Sequence, residues 1–257
     1  MRNSQTRIAA VLATVFILVG GLAGGVSAKG PKGTARAQEK ANVVGTGELV
    51  GKVYFKGDKP KLLAIDMMSD PVCASEQAGS VFVQDGEVNN NGTLPNAFVH
   101  IKSGTTNLSV PAPHNSVVLT QQGCMYEPHV VGVMAGQPLQ VVTVDPTTHN
   151  VHVMSKINRE WNVTQQPGSP SIIKVFTQPE ITIPVHCNVH PWMKAYINVV
   201  SNPFYSVTDS DGGFAINNVP VGEYALEIWT ATFGTQEQHV TIRAGETSTI
   251  NFTFDAH

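Results

Sequence analysis

Residues 187–193 place three kinds of metal-binding side chain in one short stretch. The Cys187 thiolate, the His190 imidazole and the Met193 thioether are close enough in sequence to bind a single ion. Two histidines, one cysteine and a weak axial methionine are typical of copper sites that transfer electrons. The second histidine must come from elsewhere in the chain, and His149 offers it. We therefore predict a site for one copper ion that cycles between Cu(I) and Cu(II).

Each ligand type has a defined role in such a site. Cys187 binds as a thiolate that the metal itself deprotonates. His149 and His190 bind as neutral imidazoles through one ring nitrogen, which leaves the other nitrogen for a hydrogen bond. Met193 is the weak axial ligand that tunes the reduction potential. A structural zinc site is the alternative, but such sites favour more cysteines and histidines and rarely use methionine.

Other histidines have a structural interpretation. Strand alternation directs His152 to the face opposite His149, and His129 and His186 are expected to be structural. The sequence contains no recognisable catalytic triad, paired-carboxylate motif, phosphate-binding loop or haem-attachment motif. We therefore expect no enzymatic activity.

Composition favours an all-β protein. Only 14% of the 257 residues are charged, while the 23 glycines and 16 prolines supply many turns. No long amphipathic helical pattern appears. The net charge of −3 argues against nucleic acid as a partner.

The N-terminus has the pattern of an export signal. Residues 1–28 contain a basic start, an apolar segment and the small-residue cleavage site Val26-Ser27-Ala28. Residues 29–46 are rich in Lys, Gly and Ala and predict a flexible leader. We expect a periplasmic or other extracytoplasmic location. If the signal is cleaved, no transmembrane segment is expected in the mature chain.

Two cysteines remain once Cys187 is assigned to copper. In an oxidising compartment, Cys73 and Cys124 are expected to form a disulfide. Two buried free thiols remain the alternative.

The central part of the chain resembles the cupredoxins, the small blue copper domains of the amicyanin and plastocyanin type. The resemblance rests on Met125-Tyr126-Glu127-Pro128, on His149-Asn150-Val151-His152 and on residues 187–193. It implies a Greek-key sandwich over 105–200 with His149, Cys187, His190 and Met193 as ligands. It also implies that Asn150 ties the two ligand loops together.

Segments on both sides of this region resemble carboxypeptidase regulatory-like modules, which are small transthyretin-type sandwiches. The resemblance rests on the alternating stretches at 48–55 and 95–101, and on the turns at 208–214 and 219–224. It implies a discontinuous second domain over 47–104 and 201–257. The cupredoxin sandwich is expected to be inserted in this domain or packed on it.

Two functions remain open. The first is outer-sphere electron transfer through the His190 edge, with Pro191 and Trp192 in an apolar docking patch. Its partner would be a redox protein such as a c-type cytochrome, an oxidase or a dehydrogenase. The second is a non-redox role in copper binding or storage, or as an interaction module of the cell envelope.

Overall fold

Strands account for nearly all the regular structure of this chain. The computed structural model describes residues 45–105 and 108–256. The predicted signal peptide, 1–28, lies outside the described residues, as does the predicted leader, 29–46, apart from its last two residues. No helix in the described part of the chain is long and apolar enough to span a membrane. The prediction of an all-β protein is confirmed.

The described residues form four sheets and one short helix. The helix, α1, is Pro71–Glu76. The strands are β1 (Thr46–Lys56), β2 (Phe98–Ser103), β3 (Val117–Gln122), β4 (Met125–Glu127), β5 (Val130–Met134), β6 (Pro138–Thr143), β7 (His149–Val153), β8 (Trp161–Gln165), β9 (Ile172–Val175), β10 (Glu180–His186), β11 (Lys194–Val200), β12 (Tyr205–Val207), β13 (Gly213–Pro220), β14 (Gly222–Thr230), β15 (Gly234–Ile242), β16 (Thr247–Thr249) and β17 (Phe252–Asp255).

Strands β3 to β11 form what we call the central sandwich. One sheet has the order β5-β11-β10-β7-β8 and the other the order β4-β3-β6-β9. Alternate residues of these strands point inward, so that Leu119 and Leu139 from one sheet share a core with Val151, Ile183 and Ile197 from the other. All these strands lie within the range 105–200 that the resemblance assigns to a cupredoxin domain.

The remaining strands form the flanking sandwich, with sheets β13-β1-β16, extended by β17, and β12-β2-β14-β15. Strand β1 pairs antiparallel with β13 and parallel with β16 and β17, so the two ends of the described chain share one sheet. A Cβ atom at Gly51 would lie 1.8 Å from the Ile250 carbonyl oxygen, so this close approach requires glycine. The flanking sandwich therefore combines strands that precede the central sandwich in the chain with strands that follow it.

A separate apolar cluster joins the two sandwiches. Phe98 of β2 packs with Val130 and Met134 of β5 and with Val200 of β11. A Cβ atom at position 132 would lie 2.2 Å from the Tyr205 ring, so glycine is needed there for close packing. The two sandwiches consequently share a buried interface.

The segment between β1 and β2 contributes to both cores. Leu94 packs in the flanking core, whereas Met67 and Cys73 pack in the central core. Helix α1 lies in this segment and begins at the N-cap Asp70, followed by Pro71, a residue that favours the first helical position. Part of the predicted range 47–104 thus packs against the central sandwich.

Candidate metal centre

The candidate metal centre lies at one end of the central sandwich, where two strand ends meet. His149 is the first residue of β7, and Cys187 directly follows β10. Residues 187–193 form the turn between β10 and β11. The Cys187 N–H donates to the Met193 carbonyl at 3.2 Å, and the Met193 N–H donates to the His190 carbonyl at 2.9 Å. This backbone pattern fixes three predicted ligands within one turn.

The structure brings the predicted ligands His149, Cys187 and His190 together. One ligand atom from each lies within 4.8 Å of the others. The two Nδ1 atoms are 2.9 Å apart, and the Cys187 Sγ is 3.8 Å from the His190 Nδ1. The exposed fractions are 0% for His149, 3% for Cys187 and 2% for His190. Met193 is also fully buried, in the same core cluster as Cys187.

Backbone groups surround the Cys187 sulfur. The N–H groups of Asn150 and His190 both point to Sγ at 3.3 Å. Burial alone would raise the pKa of the Cys187 thiol, but hydrogen bonds from His149 and from these N–H groups outweigh burial and lower that pKa. The site therefore favours the thiolate, which is the form that binds a metal.

Asp145 holds the outer edge of His149. The His149 Nε2 lies 2.7 Å from Asp145 Oδ2, and this carboxylate also accepts from the N–H groups of Gly123 at 2.6 Å and Cys124 at 2.9 Å. Burial opposes a charged His149, but hydrogen bonds to Asp145 and Cys187 raise the pKa of His149 to about 9. Burial also opposes a charged Asp145, yet its bond to His149 lowers the pKa of that carboxyl.

Asp70 holds the outer edge of His190 in the same way. The His190 Nε2 lies 2.9 Å from Asp70 Oδ2. That hydrogen bond lowers the pKa of the Asp70 carboxyl. Sequence reasoning identified neither Asp70 nor Asp145. The Asp70-Pro71 pair is a helix-start signal, but it does not indicate which side chain the carboxylate would reach.

Asn150 lies between the two ligand-bearing segments. Its Oδ1 accepts from the Asn188 N–H at 3.3 Å, and its Nδ2 donates to Asn162 Oδ1 at 2.5 Å. The side chain thereby connects the start of β7 to the turn that carries Cys187. A side chain that ties the two ligand loops together, as predicted for Asn150, needs contacts of this kind.

Cys73 and Cys124 are joined by a disulfide with Cα atoms 5.5 Å apart. The Cys73 Sγ lies 3.5 Å from the His190 Nε2. Trp192 donates its indole N–H to the Cys124 carbonyl at 3.0 Å. The disulfide therefore fastens the α1 segment beside the candidate metal centre.

The predicted docking residues differ in exposure. Pro191 is exposed, whereas Trp192 is half-buried, with its ring centroid 5.1 Å from that of His190. The Nε2 edge of His190 faces Asp70 rather than solvent. Direct electron transfer through this ring to a partner would use a solvent-exposed edge.

His152 and His129 stand apart from the site. The His152 Nε2 lies 2.6 Å from Glu160 Oε1, and the His129 Nε2 lies 2.9 Å from Asp85 Oδ1. Both histidines therefore have carboxylate partners of their own.

The donor atoms fit a single copper ion. The Nδ1 atoms of His149 and His190 lie close to each other, the Cys187 sulfur lies near the Nδ1 of His190, and Met193 follows in the same turn. This is the mixture of nitrogen and sulfur ligands that copper prefers. The Nε2 atoms of His149 and His190 each contact a carboxylate, so the Nδ1 atom of each ring is the one left to bind a metal.

Comparisons with known proteins give one family match and several solved structures. The search of curated proteins finds no match. A copper-containing nitrite reductase (NirK) from Thermus scotoductus SA-01 is 19% identical, with a TM-score of 0.31, covering 40% of this chain and 25% of the reductase. A methionine-to-alanine variant of amicyanin in its Cu(I) form is 19% identical, with a TM-score of 0.29, covering 40% of this chain and 98% of amicyanin. The model of the carboxypeptidase regulatory-like domain matches residues 191–255, which include β11 and the strands of the flanking sandwich from β12 to β17.

Proposed function

We propose that this protein is an exported electron carrier that holds one copper ion between His149, Cys187, His190 and Met193. The observation that carries the proposal is that one ligand atom each of His149, Cys187 and His190 lies within 4.8 Å of the others, with the two Nδ1 atoms 2.9 Å apart. Bound copper would supply a one-electron couple between Cu(I) and Cu(II).

The chain's own contribution is to hold the ligands in place. Three ligand side chains are at most 3% exposed, and each makes hydrogen bonds that limit its movement. A rigid, water-poor site suits electron transfer because little needs to reorganise when the charge of the site changes. The buried Met193 at the end of the turn supplies the fourth, weaker donor.

The proposed partner is another redox protein of the same compartment, such as a c-type cytochrome, an oxidase or a dehydrogenase. Val189 is 51% exposed and Pro191 is exposed, so the turn that carries Cys187 and His190 has apolar surface for a transient contact. The export pattern of residues 1–28 motivates the extracytoplasmic location.

A non-redox copper-holding role is the second candidate. The contact between Asp70 and the His190 edge favours it, because this edge is closed to direct contact with a partner. Reversible one-electron chemistry separates the two candidates, since a storage site has no need of it.

The test is the visible spectrum of the copper-loaded mature protein and two variants. The wild type should show a strong thiolate-to-copper charge-transfer band, which Cys187→Ser should abolish while the protein stays folded. His152→Gln is the matched control, because His152 shares β7 with His149 but contacts Glu160. An unchanged band in Cys187→Ser, or a colourless wild type, would overturn the proposal.

A further inference from the structure

The segment between β1 and β2 places a carboxylate on the candidate metal centre from far away in the sequence. Asp70 and His190 are 120 residues apart, yet Asp70 Oδ2 lies 2.9 Å from the His190 Nε2. The His190 side chain is 2% exposed and the Asp70 side chain is 22% exposed. The carboxylate therefore lies between the buried ring and solvent.

Asp70 is itself fixed by hydrogen bonds from several directions. Its Oδ1 accepts from the Val72 N–H at 2.9 Å and the Cys73 N–H at 3.4 Å at the start of α1. Its Oδ2 also accepts from the Thr147 hydroxyl at 3.1 Å. Cys73 is in turn bonded to Cys124. The carboxylate is consequently a rigid acceptor for His190.

A rigid carboxylate on one imidazole nitrogen determines what the other nitrogen can do. When Nε2–H donates to a carboxylate, Nδ1 carries the free lone pair, the ring orientation is fixed and the ligand becomes more basic. The His190 Nδ1 is the atom that faces His149 and Cys187. The contact therefore prepares the ring for binding a metal.

We propose that Asp70 is a positioning residue of the copper site, which acts through His190 and couples the segment between β1 and β2 to metal binding. The inference rests on the proposed function. Loss of the contact should weaken copper binding about 10- to 100-fold, the effect typical of hydrogen-bond partners of metal ligands. A nearby negative charge and a more basic ligand both stabilise Cu(II) relative to Cu(I). Removing the Asp70 carboxylate should therefore also raise the reduction potential.

The experiment compares wild type, Asp70→Ser and Asp66→Ser in the full mature chain. Serine is a good N-cap, so Asp70→Ser can retain α1 while its short side chain withdraws from His190. Asp66→Ser removes the same charge from an exposed residue of the same segment, whose carboxylate accepts a hydrogen bond from the Met68 N–H. Copper affinity is measured by competition with a chelator, and the reduction potential by voltammetry.

The expected result is weaker copper binding and a higher potential in Asp70→Ser, with Asp66→Ser close to wild type. If Asp70→Ser fails to fold, Asp70→Asn keeps the volume and the N-cap while presenting an amide N–H to the His190 Nε2–H, and the same changes are expected. Unchanged affinity and potential in a folded Asp70 variant would overturn this inference alone. A wild-type chain that binds no copper would overturn the proposed function, and this inference with it.

Discussion

The two histidines of the candidate copper site differ in where their support comes from. Asp145 holds His149 from four residues away, in the connection between β6 and β7. Asp70 holds His190 from 120 residues away, through α1 and beside a disulfide. The His149 side is thus built locally by the central sandwich, whereas the His190 side is completed only when the segment between β1 and β2 packs on it. The difference indicates that one side of the site depends on long-range folding.

Removal of the disulfide should give the largest loss of unfolding free energy, and it should disturb the His190 side of the site. Closure of a loop of 51 residues by Cys73 and Cys124 contributes about 4 kcal/mol by the chain-entropy model. The double variant Cys73→Ala/Cys124→Ala should therefore lose about this much unfolding free energy in a denaturant titration. It should also shift the reduction potential in the direction of Asp70→Ser. A double variant with wild-type stability and potential would contradict the role given to the α1 segment.

Asp145→Asn should affect stability more than Asp70→Ser does. Asp145 is buried and accepts three hydrogen bonds, including that of the largely charged His149, and breaking such a buried pair costs about 3 kcal/mol. Asp70 is more exposed, so its loss should cost less. Denaturant unfolding of the metal-free variants checks this order. Equal losses of unfolding free energy in the two variants would contradict the proposed difference between the His149 and His190 sides of the site.

Glu180→Gln provides a control carboxylate in the same sandwich that contacts no metal ligand. Burial opposes the charge of Glu180, but hydrogen bonds from Ser155, Asn158 and Lys156 lower its pKa to about 2. The variant should lose about 2 kcal/mol at neutral pH, the range for hydrogen bonds to a charged group, while copper affinity and potential stay at wild-type values.

The pH dependence of this loss follows from the lowered pKa. The contribution of Glu180 is fully present above its ordinary pKa of 4.5 and disappears as the pH falls towards 2. The stability difference between wild type and Glu180→Gln should therefore shrink over this interval. A difference that stays constant from pH 7 to pH 2 would contradict the assignment.

Met193→Leu should give the smallest change in stability and a specific change in potential. A volume-conserving replacement of a buried methionine costs less than about 1.5 kcal/mol. Copper should remain bound with a shifted potential, because the axial bond is weak. Met134→Leu is the control, since Met134 is buried in the cluster between the two sandwiches. Complete loss of copper in Met193→Leu would show that Met193 is a principal ligand.

Part of this arrangement was predictable from the sequence. Alternating β-rich segments predicted an all-β fold. The side-chain types predicted that His149, Cys187 and His190 would lie together, because a metal ligand is recognised by its chemical group. The sequence also predicted a pairing of Cys73 with Cys124, but it did not indicate that the disulfide would lie beside His190.

The supporting carboxylates were not predictable for a physical reason. An aspartate before a proline has the local signature of a helix N-cap, and Asp70 performs that role with Oδ1. Its contact with His190 through Oδ2 depends on how α1 packs against the central sandwich, and a short sequence pattern does not predict that packing. The covering of the His190 edge by Asp70 was not predictable for the same reason.

We expect Cys187, His149 and His190 to form a copper site with strong copper–thiolate bonding. EPR spectroscopy of the mature protein loaded with one equivalent of Cu(II) reports on this bonding. The expected result is a single Cu(II) signal with a small parallel hyperfine splitting, because the unpaired electron would be shared with the Cys187 sulfur. The large splitting of an ordinary tetragonal Cu(II) site, or the absence of any bound Cu(II), would contradict this ligand assignment.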